Sequence, residues 1–77
     1  MKYNKSKINQ IIHKALDIEI TPKNIVTPLV QMDIDSLYIL DLVCELENEL
    51  DIKIPDEDYK GIKTIVDVYK MLDQYPF

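Results

Sequence analysis

Apolar residues recur at helical spacing in three stretches of the chain. Ile8, Ile11, Ile12, Ala15 and Leu16 fall at i, i+3, i+4, i+7 and i+8, which predicts an amphipathic helix over residues 5–17. Thr21-Pro22 is expected to stop it. Residues 21–35 read as a long connection with two prolines, Pro22 and Pro28. It still carries Ile25, Val26, Leu29 and Met32, so it is expected to pack onto the core. From Ser36 no Gly or Pro intervenes before Pro55, and Ser36–Leu50 is the second long helix. Its residues Ile39, Leu42, Val43, Leu46 and Leu50 share one face, which is assigned to the core. Residues 52–55 are too short for a useful strand. Pro55, Asp56, Glu57 and Asp58 predict the first turn of a short helix ending near Gly61, with proline at N1 and acids at the positive dipole end. Thr64 opens a last helix as N-cap, with Asp67 three residues on in a variant capping box. Ile65, Val68, Tyr69 and Leu72 form its stripe, and residues 74–77 are expected to fray. The pattern is all-α: three main helices and one short one in a small four-helix bundle.

Size narrows the functional classes. With 77 residues the chain is expected to form a single domain spanning residues 1–77. A chain this short buries only about 60% of the surface it exposes unfolded, and no second lobe is left to enclose a substrate. That weighs against an enzyme. Acids outnumber bases 14 to 9, for a net charge of −5, which weighs against nucleic-acid binding, since phosphate backbones need basic patches. The imbalance is concentrated: residues 33–58 hold ten acids against Lys53 alone, a net −9, while the rest of the chain nets +4. A face of this sign suits basic partners. The lone cysteine, Cys44, cannot form an internal disulfide, so a reducing, cytoplasmic setting fits. No long apolar run follows the basic N-terminus, and neither a signal peptide nor a membrane span is expected.

The chemistry gathers around residue 36. A serine at the head of a helix sits where free N–H groups and the positive dipole end converge, and a phosphodiester on its hydroxyl would be favoured there. Asp35 or Ser36 could equally be a plain N-cap. The helix that follows carries a second apolar stripe, Leu37, Leu40 and Cys44, flanked by Asp41, Glu47, Asn48 and Asp51. An apolar strip with an acidic rim is how a helix-sized docking site is built, although such a stripe can also cover a loop. A high-affinity calcium site is not expected, which leaves only loose divalent binding to the acidic face. Asp33 and Asp35 could start a calcium loop, but the sharp-turn Gly is missing and Cys44 stands at position twelve instead of Glu. His13 lies on the first helix, away from any acid–nucleophile group, and reads as a structural histidine. The acidic surroundings of Cys44 oppose a reactive thiolate.

Asp35-Ser36-Leu37, Leu42-Val43, Leu46-Glu47 and the run from Leu50 through Ile54-Pro55-Asp56-Glu57-Asp58, closed by Thr64-x-x-Asp67, resemble an acyl carrier protein over most of the chain. The resemblance implies 4′-phosphopantetheine on Ser36, installed from coenzyme A by a phosphopantetheinyl transferase using Mg²⁺, with Asp35 beside it. The arm's thiol would hold acyl groups as thioesters for fatty acid, polyketide or related biosynthesis. Leu37, Leu40, Asp41, Cys44, Glu47 and Asn48 would then meet basic patches on acyl-loading, condensing and processing enzymes, with the protein acting as a monomer. Leu42, Val43, Leu46, Ile54, Ile62 and Val68 could shelter an acyl chain, or simply pack the core. Three positions depart from the family pattern. Asp33 replaces a common Gly, Tyr38 a common acid and Cys44 a larger apolar residue. Asp33 should tolerate the left-handed backbone that Gly would adopt. An aminoacyl or peptidyl carrier, and an unmodified acidic helical adaptor, are the alternatives.

Overall fold

The computed structural model describes residues 4–75. Its elements are α1 (Lys5–Leu16), α2 (Pro22–Val26), a 3-10 turn (Leu29–Met32), α3 (Ser36–Leu50), α4 (Asp56–Tyr59) and α5 (Ile65–Leu72). No strand forms among the described residues. The expected all-helical bundle is present, with three longer helices, the short α4 and one short helix more.

That extra helix lies in the segment read as a connection. Thr21 does not stop α1; it caps α2, its hydroxyl accepting from Asn24 N–H at 3.0 Å, and Pro22 follows at a first-turn position. Proline is pre-organised there and gives up no needed donor, so Thr-Pro marks a beginning. Helix α1 ends four residues earlier, where Asp17 turns left-handed at φ 55° and bonds back to His13 O. The His13 ring then ties off this exit, with Nδ1 2.6 Å from Ile18 O.

All three positive-φ residues described are aspartates: Asp17, Asp33 and Asp51, at 55°, 62° and 54°. Asp33 keeps the left-handed turn expected where Gly is common. The chain's one glycine, Gly61, does not have positive φ. Short polar side chains tolerate this region better than bulky ones, and here they end α1, the 3-10 turn and α3.

The core is one apolar cluster. Ile8, Ile12 and Leu16 from α1 join Leu42, Val43 and Leu46 from α3 and Ile65, Val68 and Leu72 from α5, with Leu29, Ile34, Ile54 and Ile62 from the links. Ile39 and Leu50, assigned to the same face of α3, are only partly buried at its edge. Along the backbone, α1 packs against α3, and α5 against α2 and α4. Helix α5 therefore closes the bundle on the short helices. It is also tied to α1: the Tyr69 hydroxyl donates to Asn9 Oδ1 at 2.5 Å, and Lys5 Nζ lies 4.5 Å from the Tyr69 ring centroid.

The capping box that opens α5 is formed as expected. Thr64 Oγ accepts from Asp67 N–H at 3.3 Å, and Asp67 Oδ2 accepts from Thr64 N–H at 3.1 Å. Asp67 Oδ2 also accepts from Lys63 N–H at 2.9 Å, and these bonds, the Lys63 one foremost, hold its carboxyl below the usual 3.8. Pro55 sits one place earlier than expected, as the N-cap of α4 at φ −67°, ψ 156°.

Fraying was expected over residues 74–77. Pro76 and Phe77 lie outside the described residues, but Tyr75 is docked: it is half-buried and its hydroxyl donates to Asp58 Oδ2 at 2.6 Å. Burial first, and then this bond, push the Tyr75 hydroxyl from its ordinary 10.0 up to about 12. Folding thus favours the neutral phenol. That contribution is whole below the unfolded value of 10.0 and is lost as pH rises towards about 12. Alkaline titration followed by tyrosinate absorbance should show a late phase that Tyr75→Phe diminishes, Tyr59 and Tyr69 also being raised. A late phase unchanged in the variant would assign it to another tyrosine.

Candidate functional site

Asp35 and Ser36 divide the work at the head of α3. Asp35, extended at φ −98°, is the N-cap; its Oδ1 accepts from Leu37 N–H at 3.0 Å and Tyr38 N–H at 3.4 Å. Ser36 is the first residue of the helix and is exposed. Since the carboxylate does the capping, the serine hydroxyl stands outside the cap bonds at the positive end of a fifteen-residue helix. The left-handed Asp33 and the buried Ile34, whose N–H bonds Leu29 O at 3.1 Å, fix the loop that delivers it.

Ser36 opens onto two surface grooves. One, of about 390 Å³, runs between residues 28–30 and Ile62, with Ile34 and Ile39 beneath and Lys63 on its lining. The other, of about 300 Å³, lies between Ile39 and Leu40 on α3 and Tyr59 on α4, with Lys60. The Tyr59 hydroxyl is held on Asp56 Oδ1 at 2.5 Å, a bond that keeps it above its usual range. Residues 28–30, Tyr59, Lys60, Ile62 and Lys63 carry no periodic signal that ties them to Ser36; only the fold brings them there.

The second stripe of α3 faces outward. Leu37 is 69% exposed, Leu40 41%, and Cys44 is exposed. Of the expected rim, Asp41 and Asn48 are exposed. Glu47 is partly buried and its Oε2 accepts from Ile54 N–H at 2.8 Å, so its carboxylate also holds the link after α3. Val26, expected to pack onto the core, is instead 62% exposed, and Val30 and Tyr38, also outside the stripe, are exposed at 77% and 45%. Leu42, Val43, Leu46, Ile54, Ile62 and Val68 are all buried in the core, and only Ile62 lines a groove beside Ser36. Among the described residues no three His, Cys, Asp or Glu side chains group so as to hold a metal ion, and no helix is long and apolar enough to cross a membrane.

The arrangement defines a class: a small helical bundle that displays an exposed serine at the head of an acidic helix. The family described as "Phosphopantetheine attachment site" matches residues 6–72. The chain is 38% identical over 72 residues to an acyl carrier protein of Clostridium perfringens, covering 90% of this chain and 92% of the relative. It is 37% identical over 70 residues to the acyl carrier protein of Syntrophobacter fumaroxidans, covering 86% and 83%. A 40-residue stretch is 48% identical to the acyl carrier protein of Bdellovibrio bacteriovorus, about half of either chain. This chain belongs to the acyl carrier protein family, whose prosthetic group is covalently attached 4′-phosphopantetheine. An exposed serine hydroxyl left out of its own helix cap fits that group.

Proposed function

We propose that residues 1–77 form one carrier domain, acting as a cytoplasmic monomer, that holds acyl groups for fatty acid, polyketide or related biosynthesis on an arm attached to Ser36. The observation that carries this reading is the division of labour at the head of α3: Asp35 caps, and Ser36 is exposed with its hydroxyl outside the cap. When bound, the prosthetic group supplies a thiol on a flexible tether, on which acyl groups are carried as thioesters at high effective concentration for a partner's active site. The chain's own residues present the serine, fix its loop and offer an address; bond chemistry is left to partners. Incubation with a broad-specificity phosphopantetheinyl transferase, Mg²⁺ and coenzyme A should add one phosphopantetheine mass. No addition, under conditions that load a control carrier, would refute the reading and leave an acidic adaptor in its place.

The address is Leu37, Leu40 and Cys44, rimmed by Asp41, Glu47 and Asn48, and it serves the transferase and the acyl-loading, condensing and processing enzymes through their basic patches. Support comes from the exposure of the stripe beside a segment of net charge −9. Rim charges act on association rate and weaken as salt screens them. Asp41→Lys should slow transferase loading about two- to fivefold at low salt, the size of an exposed charge pair. Leu40→Ser should slow it at every salt concentration. Glu47→Lys is a poorer probe, because it also removes the acceptor of Ile54 N–H. Unchanged loading rates in Asp41→Lys at low salt, with native circular dichroism, would make Asp41 solvated surface.

A further inference from the structure

A phosphodiester on Ser36 would enter a hostile field. Asp33 and Asp35 lie just before it in the chain and are exposed, within the stretch that nets −9. Two cations break that field, and both line a groove that Ser36 also lines: Lys63 in the larger and Lys60 in the smaller. Both lysines are exposed, and they lie three residues apart on the link between α4 and α5.

The backbone under Lys63 is fixed from two sides. Its N–H donates to Asp67 Oδ2 at 2.9 Å, and its carbonyl accepts from Leu29 N–H at 2.8 Å. The second bond joins two residues that both line the larger groove. Lys60 N–H is bonded to Asp56 O at 2.9 Å. Each ammonium group is therefore a movable point charge on a held backbone, the form in which lysine serves phosphate. Apart from Lys63, and Asp35 beside Ser36, the larger groove is lined by Pro28, Val30, Ile34, Ile39 and Ile62, suited to alkyl parts of a tether.

We infer that Lys60 and Lys63 are the counter-charges of the Ser36 phosphodiester and lay the resting arm into the groove between residues 28–30 and Ile62. This rests on Ser36 being the attachment site. The consequence is a separation of faces: the arm lies on the α4–α5 side, and the Leu37–Leu40–Cys44 stripe stays clear for partners.

The test compares apo and loaded forms of the wild type, Lys60→Gln/Lys63→Gln and Lys60→Arg/Lys63→Arg, each against its own apo amide NMR spectrum, after intact mass has shown loading at Ser36. In the wild type, loading should shift Leu29, Val30 and Ile62 amides as well as Leu37 and Tyr38. The groove shifts should shrink at about 0.5 M salt, where exposed charges are screened. They should lose about half or more of their size in the glutamine variant and survive in the arginine variant, while Leu37 and Tyr38 shift alike in all three. Groove shifts of wild-type size in the glutamine variant, or wild-type shifts confined to Leu37 and Tyr38, would overturn the inference and leave the attachment site intact. Failure of the wild type to load would overturn both together.

Discussion

Ser36→Ala is expected to accept no phosphopantetheine and yet unfold at the same denaturant concentration as the wild type. The two halves of that result have separate causes. Loading needs an aliphatic hydroxyl, and no adjacent side chain supplies another: Asp35 is a carboxylate, Leu37 is apolar and Tyr38 offers only a phenol. Stability does not need it, because the cap is made by Asp35 Oδ1 with the N–H groups of Leu37 and Tyr38. Alanine is the best helix former, and an exposed substitution of this kind changes stability by no more than about 0.5 kcal/mol. Asp35→Ala reverses the pattern, since loss of an N-cap costs about 0.5–2 kcal/mol. Asparagine at position 35 still caps well. Asp35→Asn therefore isolates the negative charge, and slower loading in that variant would assign the charge a part in presenting the serine. Intact mass and denaturation measured on the same samples separate these effects. A loaded Ser36→Ala protein would move the attachment site to another residue.

The long helices were legible because their burial follows a period. Ile8, Ile11, Ile12 and Leu16 repeat at helical spacing and are all buried. Leu42, Val43 and Leu46 do the same on α3, and Val68 and Leu72 on α5. The Thr64–Asp67 capping box was legible too, since both partners of a local bond lie within four residues. The five-residue α2 was not. It is too short to show a repeat, and its proline was read as a terminator when Thr-Pro is as good a start. Tyr75 was missed because its hold on the fold is a bond to Asp58, seventeen residues away, which no local pattern encodes. The site divides along the same line. Asp35 and Ser36 announce a helix start by residue type. The grooves depend on residues 28–30, Tyr59, Lys60, Ile62 and Lys63 arriving beside Ser36 from two links, and only tertiary packing decides that. Glu47 shows the limit of reading a charged rim from sequence: the same carboxylate also satisfies a backbone N–H on the following link.

Leu72→Ala is expected to be the most damaging of the leucine truncations considered, at about 2–5 kcal/mol, and Leu37→Ala is its control. The chemistry of the two changes is identical. The environments are not: Leu72 is 0% exposed in the central cluster, and Leu37 is 69% exposed on the outer stripe of α3. Removing the Leu72 side chain leaves a cavity under α5, where Ile65, Val68, Tyr69 and Met71 are the other anchors of an eight-residue helix. So short a helix has little stability of its own and depends on that packing. At roughly 0.05–0.15 kcal/mol per residue, a domain of 77 residues has only about 4–12 kcal/mol in total, so the loss takes a large share of it. Leu37→Ala should shift stability by no more than about 0.5 kcal/mol while still weakening transferase docking. Urea denaturation of both variants, followed by circular dichroism, tests the assignment. A Leu72→Ala midpoint near wild type would mean that α5 does not close the core, and a large loss in Leu37→Ala would mean that the outer stripe is covered within the monomer and not kept for partners.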